Sequence, residues 1–317
     1  MNRNIYHKIQ NNTHVFQIIE THDYGRLYYI LLNADGVECV SVKVVHKDQE
    51  LCLSNIKYNP TCATNAKLEK GEETVAMIKS FLRFMCMKES FEKITFVDAS
   101  TFQCKLESLD KFTDDEEEYV IPIPIAFHNI TIYGKTWYQR HFNATLSDDY
   151  VRNKLQKSLA KLNETVRNGP KLTRLKYVFQ RHIQSQDQSR FQTVIQFALT
   201  KIDLHVGKTS WIQCFNDLFG TTGSVYAKYG KDFTCSLYYT MDSTINGLFD
   251  IPPECDSLEM EIQRETVESY PPIAYLGIDE TPVHKKKQVG SGKLQRLPPH
   301  ISLTRYYARR SLRNRKK

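Results

Sequence analysis

The chain has 317 residues, of which 41% are hydrophobic and 25% are charged, and these proportions are typical of a folded globular protein. No stretch approaches the roughly 18 uninterrupted apolar residues of a membrane span, so the sequence predicts no transmembrane helix and no membrane partner. The first residues lack the apolar segment of a secretory signal, and we therefore expect an intracellular protein that is not secreted.

Positive charge is concentrated at the C-terminal end. Residues 281–317 contain 12 Lys and Arg and no Asp or Glu, whereas the first 280 residues have a net charge of −5. A basic tail of this kind predicts nucleic acid or an acidic protein surface as the partner, with a nuclear localisation signal or a solubility tail as alternatives. The predicted binding residues are the tail cations Lys285, Lys286, Lys287, Arg305, Arg309, Arg310, Arg313 and Arg315.

The cysteines and histidines give no metal pattern. The eight Cys are scattered without a C-x-x-C pair, which in an intracellular chain predicts reduced and mostly buried thiols. The ten His are isolated from one another, and no Cys or His spacing fits zinc. We therefore predict no metal site.

The first 60 residues predict an antiparallel meander of four strands. These strands cover 14–19, 26–32, 38–45 and 51–58, and turn residues such as Asn33-Ala34-Asp35-Gly36 separate them.

The periodicity changes after the meander. Val75, Ile78, Leu82 and Met85 recur at helical spacing and predict a helix from Glu72 to Met87. A buried strand is predicted over 93–98, an exposed acidic loop over 114–118, and an edge strand containing two prolines over 119–125.

The second half of the chain is predicted to be mostly helical. Helices are indicated over 151–166, 172–180 and 191–204, while the aromatic-rich segment from Trp211 to Pro253 gives no assignment. The sequence thus divides into a domain over 1–147, a helical and aromatic-rich extension over 148–270, and a basic, poorly ordered tail over 271–317.

The order of the predicted elements resembles the acetyltransferase fold called GNAT, and two stretches carry the resemblance. Residues 68–78, with Lys-Gly-x-x-Thr, resemble the loop and helix start that bind the coenzyme pyrophosphate in that family. Residues 132–144, with Gly-Lys-Thr-Trp-Tyr-x-x-x-Phe, resemble the late helix that carries a Tyr near the coenzyme sulfur. More narrowly, the pair of motifs is similar to the GNAT-like proteins of large nucleocytoplasmic DNA viruses, over about residues 15 to 150.

The resemblance implies specific site residues. In the GNAT fold, acetyl-CoA enters a V-shaped gap between two central strands, and the loop before the central helix binds its pyrophosphate. The resemblance therefore implies that Lys70, Gly71 and Thr74 would be the cofactor-binding residues of this chain. Tyr138 would be the general acid, and Glu50 would be a base that acts through a water. The simpler interpretation of Tyr138 is a packed helix aromatic, and that of Glu50 is an exposed carboxylate at a strand end.

The pyrophosphate loop departs from the family pattern. Glu73 stands where active members have a second Gly or Ala, and Glu72 precedes it, so two carboxylates lie beside the expected diphosphate. Each like-charge contact at about 4–6 Å costs on the order of a few kcal/mol before screening. This loop therefore favours a GNAT-like fold that has lost coenzyme binding.

We therefore predict an α+β protein with a GNAT-like mixed β-sheet and flanking helices, followed by a mostly helical region and a basic disordered tail. The leading hypothesis is a non-catalytic binding or structural protein without a cofactor, anchored by its tail and associated with virion proteins. The alternatives are an active acetyl-CoA-dependent N-acetyltransferase and a nucleic-acid-binding protein.

Overall fold

A nine-stranded mixed β-sheet dominates the computed structural model of the chain. The structure describes residues 3–11, 15–23, 26–33, 36–47, 49–58, 72–97, 101–105, 120–184, 190–253 and 259–278. The strands are β1 (Arg3–Gln10), β2 (Val15–Asp23), β3 (Arg26–Leu32), β4 (Glu38–Lys47), β5 (Glu50–Tyr58), β6 (Lys93–Val97), β7 (Thr101–Lys105), β8 (Val120–Pro124), β9 (Thr145–Leu146), β10 (Glu259–Gln263) and β11 (Ala274–Ile278). The helices are α1 (Glu72–Lys88), α2 (Ile125–Tyr133), α3 (Trp137–Phe142), α4 (Asp149–Asn163), α5 (Pro170–Gln184), α6 (Arg190–His205), α7 (Trp211–Phe219), α8 (Ser224–Tyr229), α9 (Lys231–Phe249) and α10 (Arg264–Glu268).

The strands of the large sheet follow the order β11-β1-β2-β3-β4-β5-β6-β10-β9, and β7 pairs with β8 in a separate hairpin. The predicted α+β class, with a mixed sheet and a helical region, is confirmed. The predicted four-strand meander is found as β2 to β5, and β1 precedes it as a fifth antiparallel strand.

One face of the sheet is apolar because alternate residues of each strand point toward it. On β2 these are Phe16 and Ile18, on β5 Leu51 and Leu53, and all four are buried. Helix α1 covers this face with the stripe that the sequence predicts, which includes the buried residues Val75, Ile78, Phe81, Leu82 and Met85.

The sheet takes strands from widely separated parts of the chain. β9 ends at Leu146 and β10 begins at Glu259, yet the two strands are neighbours in the sheet. The segment between them forms the helical region, residues 148–253. β11 lies within the segment that the sequence assigns to the tail, and it pairs with β1. The chain divides into units 1–280 and 281–317, and the second unit lies outside the described residues.

Helix α9 is the centre of the helical region, where it contacts α4, α5, α6, α7 and α8. It belongs to the segment for which the sequence gives no assignment. Six consecutive residues of α9, from Phe233 to Tyr238, are buried. A helix that is covered on all sides has no polar stripe, and its helical period is therefore hidden in the sequence. Within the described ranges, no helix combines the length and hydropathy that a bilayer crossing requires.

The prediction of reduced thiols is wrong for three of the described cysteines. Cys104 on β7 and Cys235 on α9 form a disulfide, with their Cα atoms 5.8 Å apart. Cys39 is also disulfide-bonded, whereas Cys52, Cys86 and Cys214 are free. The two half-cystines of the first bridge are 131 residues apart in sequence, so local spacing could not reveal the pairing.

Candidate functional site

Strands β5 and β6 form a parallel pair, whereas the other described strand pairs are antiparallel. The pairing runs from Glu50 opposite Lys93 to Leu53 opposite Phe96. β6 ends at Val97, one residue beyond this pairing, whereas β5 continues to Tyr58 beside β4. In chain order α1 follows β5 and begins at Glu72.

Glu50 lies on the polar face of this parallel pair. Its carboxylate accepts a hydrogen bond from the Thr95 hydroxyl, and the Lys93 Nζ lies 3.4 Å from its Oε2. Lys93 also lies 3.6 Å from Glu261 on β10. The charges of Glu261 and Glu50 raise the pKa of Lys93, which therefore stays positively charged. Glu50 is thus the partner of an ammonium group and a hydroxyl.

Tyr138 lies on the face of the sheet opposite to that of Glu50. Thr136 and Gln139 form a capping box that begins α3, and this places Tyr138 in the first turn. Its ring stacks on Phe96 with a centroid distance of 4.6 Å, and the residue is only 2% exposed. Phe96 and Thr95 are consecutive strand residues and point to opposite faces. Tyr138 and Glu50 are therefore not brought together.

The predicted coenzyme loop is described in part. Lys70 and Gly71 lie outside the described residues, as do the side chains of Glu72 and Glu73. Thr74 lies in the first turn of α1 and is 6% exposed, and its hydroxyl has no hydrogen-bond partner within the described part of the chain. The eight predicted cations of the tail also lie outside the described residues.

A cluster of charged residues that the sequence did not single out lies under α1. Glu20 on β2 is 3% exposed, and its carboxylate accepts hydrogen bonds from His7 Nε2 at 2.8 Å and His22 Nε2 at 2.7 Å. Lys88, the last residue of α1, forms an ion pair with the same carboxylate. Lys88 also lies 3.3 Å from the Tyr29 hydroxyl. We call these five residues the Glu20 cluster.

The electrostatics of the cluster hold Glu20 in its ionised form. Burial alone raises the pKa of Glu20, but the hydrogen bonds from Lys88, His7 and His22 outweigh burial and lower the pKa to about 2. Burial and the Glu20 charge raise the pKa of Tyr29. A carboxylate whose pKa lies so far below neutral pH is poorly suited to general acid–base catalysis. The cluster therefore acts as an electrostatic connection between β1, β2, β3 and α1, with the Glu20 carboxylate buried and His22 and Lys88 on its solvent side.

One sequence signal could have indicated the Glu20 cluster. Phe16, Ile18, Glu20 and His22 alternate along β2 and share its apolar face, so a carboxylate interrupts an otherwise hydrophobic period. Buried carboxylates need partners, and the partners come from β1, β3 and α1. Their identity depends on pairings that only the folded chain reveals.

The helical region contains a cleft of about 370 Å³ between the end of α4 and the start of α5. Arg167, Lys171 and Trp211 contribute to its lining. Lys171 is already paired with Glu164, with Nζ to Oε2 at 2.7 Å. Among the described residues, no group of three or more His, Cys, Asp and Glu side chains is placed to bind a metal ion.

Comparisons with known proteins do not identify a family. Neither the protein-family models, nor the curated proteins, nor the solved structures give a match to this chain. The resemblance to GNAT proteins and to their viral members therefore stays a prediction.

Proposed function

We propose that the chain is a GNAT-like scaffold whose role is binding or structural and does not include acetyl transfer. The parallel pairing of β5 and β6 supports the GNAT-like part of the proposal. So does the sequence of elements β5, α1, β6, because a helix connects the two parallel strands.

The position of Tyr138 carries the non-catalytic part. A general acid must reach the reacting group, but Tyr138 is packed between Phe96, Trp137 and Phe142 with centroid distances of 4.6 to 6.1 Å. Glu50 faces the other side of the sheet, where Lys93 and Thr95 hold its carboxylate. The two residues of the predicted acid–base pair are therefore separated by the sheet itself.

The start of α1 favours the same conclusion. The helix begins at Glu72, so Glu72 and Glu73 occupy its first two positions. Carboxylates there interact favourably with the helix dipole but repel a diphosphate at the same end. We propose that the basic tail then anchors the scaffold to nucleic acid or to an acidic protein surface.

Acetyl-CoA-dependent transfer is a second candidate, and Thr74 is the observation that favours it. The Thr74 hydroxyl is buried and has no hydrogen-bond partner among the described residues, and a bound phosphate oxygen would be an acceptor for it. Thr74 also lies in the first turn of α1, the helix that follows β5 in the chain. Under this alternative, Thr74→Val would weaken coenzyme binding while leaving the size of the side chain unchanged.

A turnover assay separates the two candidates. The full chain would be incubated with acetyl-CoA and a panel of amine acceptors, including a Lys side chain and a peptide N-terminus, and release of the CoA thiol would be measured. We expect no release above the uncatalysed background. Release above background that Tyr138→Phe lowers at least tenfold would contradict the proposal and establish the second candidate.

A further inference from the structure

The helical region differs in charge from the rest of residues 1–280. Residues 148–253 contain 14 Lys and Arg against 9 Asp and Glu, whereas residues 1–147 and 254–280, here called the sheet region, contain 17 against 27. An excess of cations on one part of a protein attracts polyanions to that part. The positions of the unpaired cations indicate where such a partner would bind.

Several cations of the helical region are neutralised by carboxylates. The ion pairs are Arg152 with Asp149, Lys161 with Asp250, Lys171 with Glu164, and Lys176 with Asp203. Lys201 on α6 and Lys228 on α8 differ, because neither has a carboxylate partner within the described residues.

Lys201 and Lys228 instead meet at one aromatic ring. The Lys201 Nζ lies 5.2 Å from the centroid of Phe197, and the Lys228 Nζ lies 4.3 Å from the same centroid. Phe197 and Lys201 are one helical turn apart on α6, and Lys228 reaches them from the end of α8. A cation–π contact orients an ammonium group but leaves its positive charge in place. Two positive charges therefore stay close to one ring, and a polyanion bound there would neutralise both.

The aromatic contacts extend this arrangement to a third cation. The edge of Tyr229 meets Phe197 at 5.5 Å, and Tyr229 contacts Phe233 at 6.3 Å. Arg190 lies over Phe233, with its Cζ 5.0 Å from the ring centroid. Arg190 and Lys201 are eleven residues apart and lie on the same side of α6. Phe233 itself is buried, whereas the other members of this arrangement are exposed or half-buried. We call these five residues the α6–α8 surface: Arg190, Phe197, Lys201, Lys228 and Tyr229.

The described carboxylates nearest in sequence to Lys201 and Lys228 have other roles. Asp203 on α6 is the partner of Lys176, and Asp232 lies in the first turn of α9, where an acidic side chain complements the helix dipole. Within the described part of the chain, no ion pair therefore neutralises the cations of the α6–α8 surface.

We propose that the α6–α8 surface binds single-stranded nucleic acid, with Lys201, Lys228 and Arg190 against phosphates and Tyr229 against a base. Cations neutralise the backbone of any nucleic acid, but the half-buried rings between them favour a strand whose bases are free to stack. Duplex bases are already stacked on one another, so a duplex would use the cations alone. This inference is independent of whether β5 and β6 hold a coenzyme.

The first test uses the full chain and a charge-matched control. Binding of a fluorescent single-stranded oligonucleotide of about 20 nucleotides would be measured by anisotropy at several salt concentrations. Lys201→Gln/Lys228→Gln should weaken binding about tenfold. It should also reduce the slope of log K against log salt by about 1.4, the change expected when two phosphate contacts with a single strand are lost. Lys157→Gln/Lys208→Gln removes the same charge from exposed sites of the helical region and should change affinity less than threefold. Equal losses in the two variants would overturn the proposal.

The second test does not depend on how much the tail contributes to affinity. Lysine acylation with and without a saturating single strand, followed by mass spectrometry, should show protection of Lys201 and Lys228 but not of Lys157. Unchanged modification of the first two lysines would refute the proposal, and so would tighter binding to the matching duplex than to the single strand. Equal protection by polyglutamate would assign the surface to an acidic polypeptide instead.

Discussion

The sheet region and the helical region have opposite charge and use their charged residues differently. In the sheet region, Glu20 is buried and its carboxylate is hydrogen-bonded on both oxygens, so that it holds neighbouring elements together. In the helical region, Lys201 and Lys228 lie against a ring and keep their charge available. A satisfied buried charge contributes to the fold, whereas a charge without an internal partner is free to bind something else. The variants below test this difference, beginning with the largest expected effect.

Glu20→Gln breaks the internal charge arrangement of the sheet region. The substitution keeps the shape of the side chain but removes the buried charge that His7 and Lys88 contact, so we expect a loss of about 3 kcal/mol in the free energy of unfolding, which matches the lowered pKa of Glu20. Urea titration followed by circular dichroism measures it. Glu50→Gln is the matched control, because the Glu50 side chain is 26% exposed against 4% for Glu20, and it should cost about 1 kcal/mol or less. Similar losses in the two variants would show that the Glu20 cluster has no special role.

The free energy of unfolding of the wild-type chain should fall in acid as Glu20 becomes protonated. The folded pKa of Glu20 is about 2, below its usual 4.5, so its contribution is complete above about pH 5 and is lost as the pH falls toward 2. The shift corresponds to about 3 kcal/mol. The difference in stability between wild type and Glu20→Gln should therefore shrink over this range. A difference that stays constant from pH 6 to pH 2.5 would contradict the assignment.

The Cys104–Cys235 disulfide joins the β7–β8 hairpin to the central helix of the helical region. Cys104→Ser should lower the free energy of unfolding by about 2–4 kcal/mol without reductant, because the bridge closes a long loop and restricts the unfolded chain. With reductant, the variant and the wild type should become nearly equal. Cys52→Ser, at a free and half-buried thiol, is the control and should differ little in either condition. A difference that persists in reductant would assign the effect to packing rather than to the bridge.

Tyr138→Phe should have the smallest effect. The ring stays stacked on Phe96, so removal of the hydroxyl should cost about 1 kcal/mol or less. Tyr138→Ala, which also removes the ring, should cost about 3–5 kcal/mol. The ratio of these two losses, measured by urea titration, tests whether Tyr138 is chiefly a packing residue. Equal losses would show that the hydroxyl, and not the ring, is the important part.

Elements with a clear period are predictable from this sequence, and those without one are not. The strand over 26–32 and the helix beginning at Glu72 are found at those positions, because their apolar residues alternate or recur with the matching period. Helix α9 was missed because six consecutive residues of its first half, Phe233 to Tyr238, are buried and present no polar stripe. β10 and β11 enter the sheet through pairings with β6 and β1, which lie far away in sequence.

The candidate site was less predictable than the fold for the same reason. Glu50 and Tyr138 each have the residue type that acetyl transfer requires, but only the pairing of β5 with β6 and the stacking on Phe96 place them on opposite faces. The Glu20 cluster and the α6–α8 surface combine side chains from several elements. Residue type is visible in a sequence, whereas a shared location arises from tertiary pairing.

Isothermal titration of acetyl-CoA into the full chain is the most direct test of our central proposal, a GNAT-like scaffold that binds no coenzyme. We predict no binding at millimolar coenzyme, because the proposed arrangement would bring the diphosphate to the start of α1, where Glu72 and Glu73 stand. Glu72→Gln/Glu73→Gln is the informative companion, since gain of binding in that variant alone would identify the two carboxylates as the cause. Binding by the wild-type chain in the micromolar range would contradict the account and make acetyl transfer the leading function.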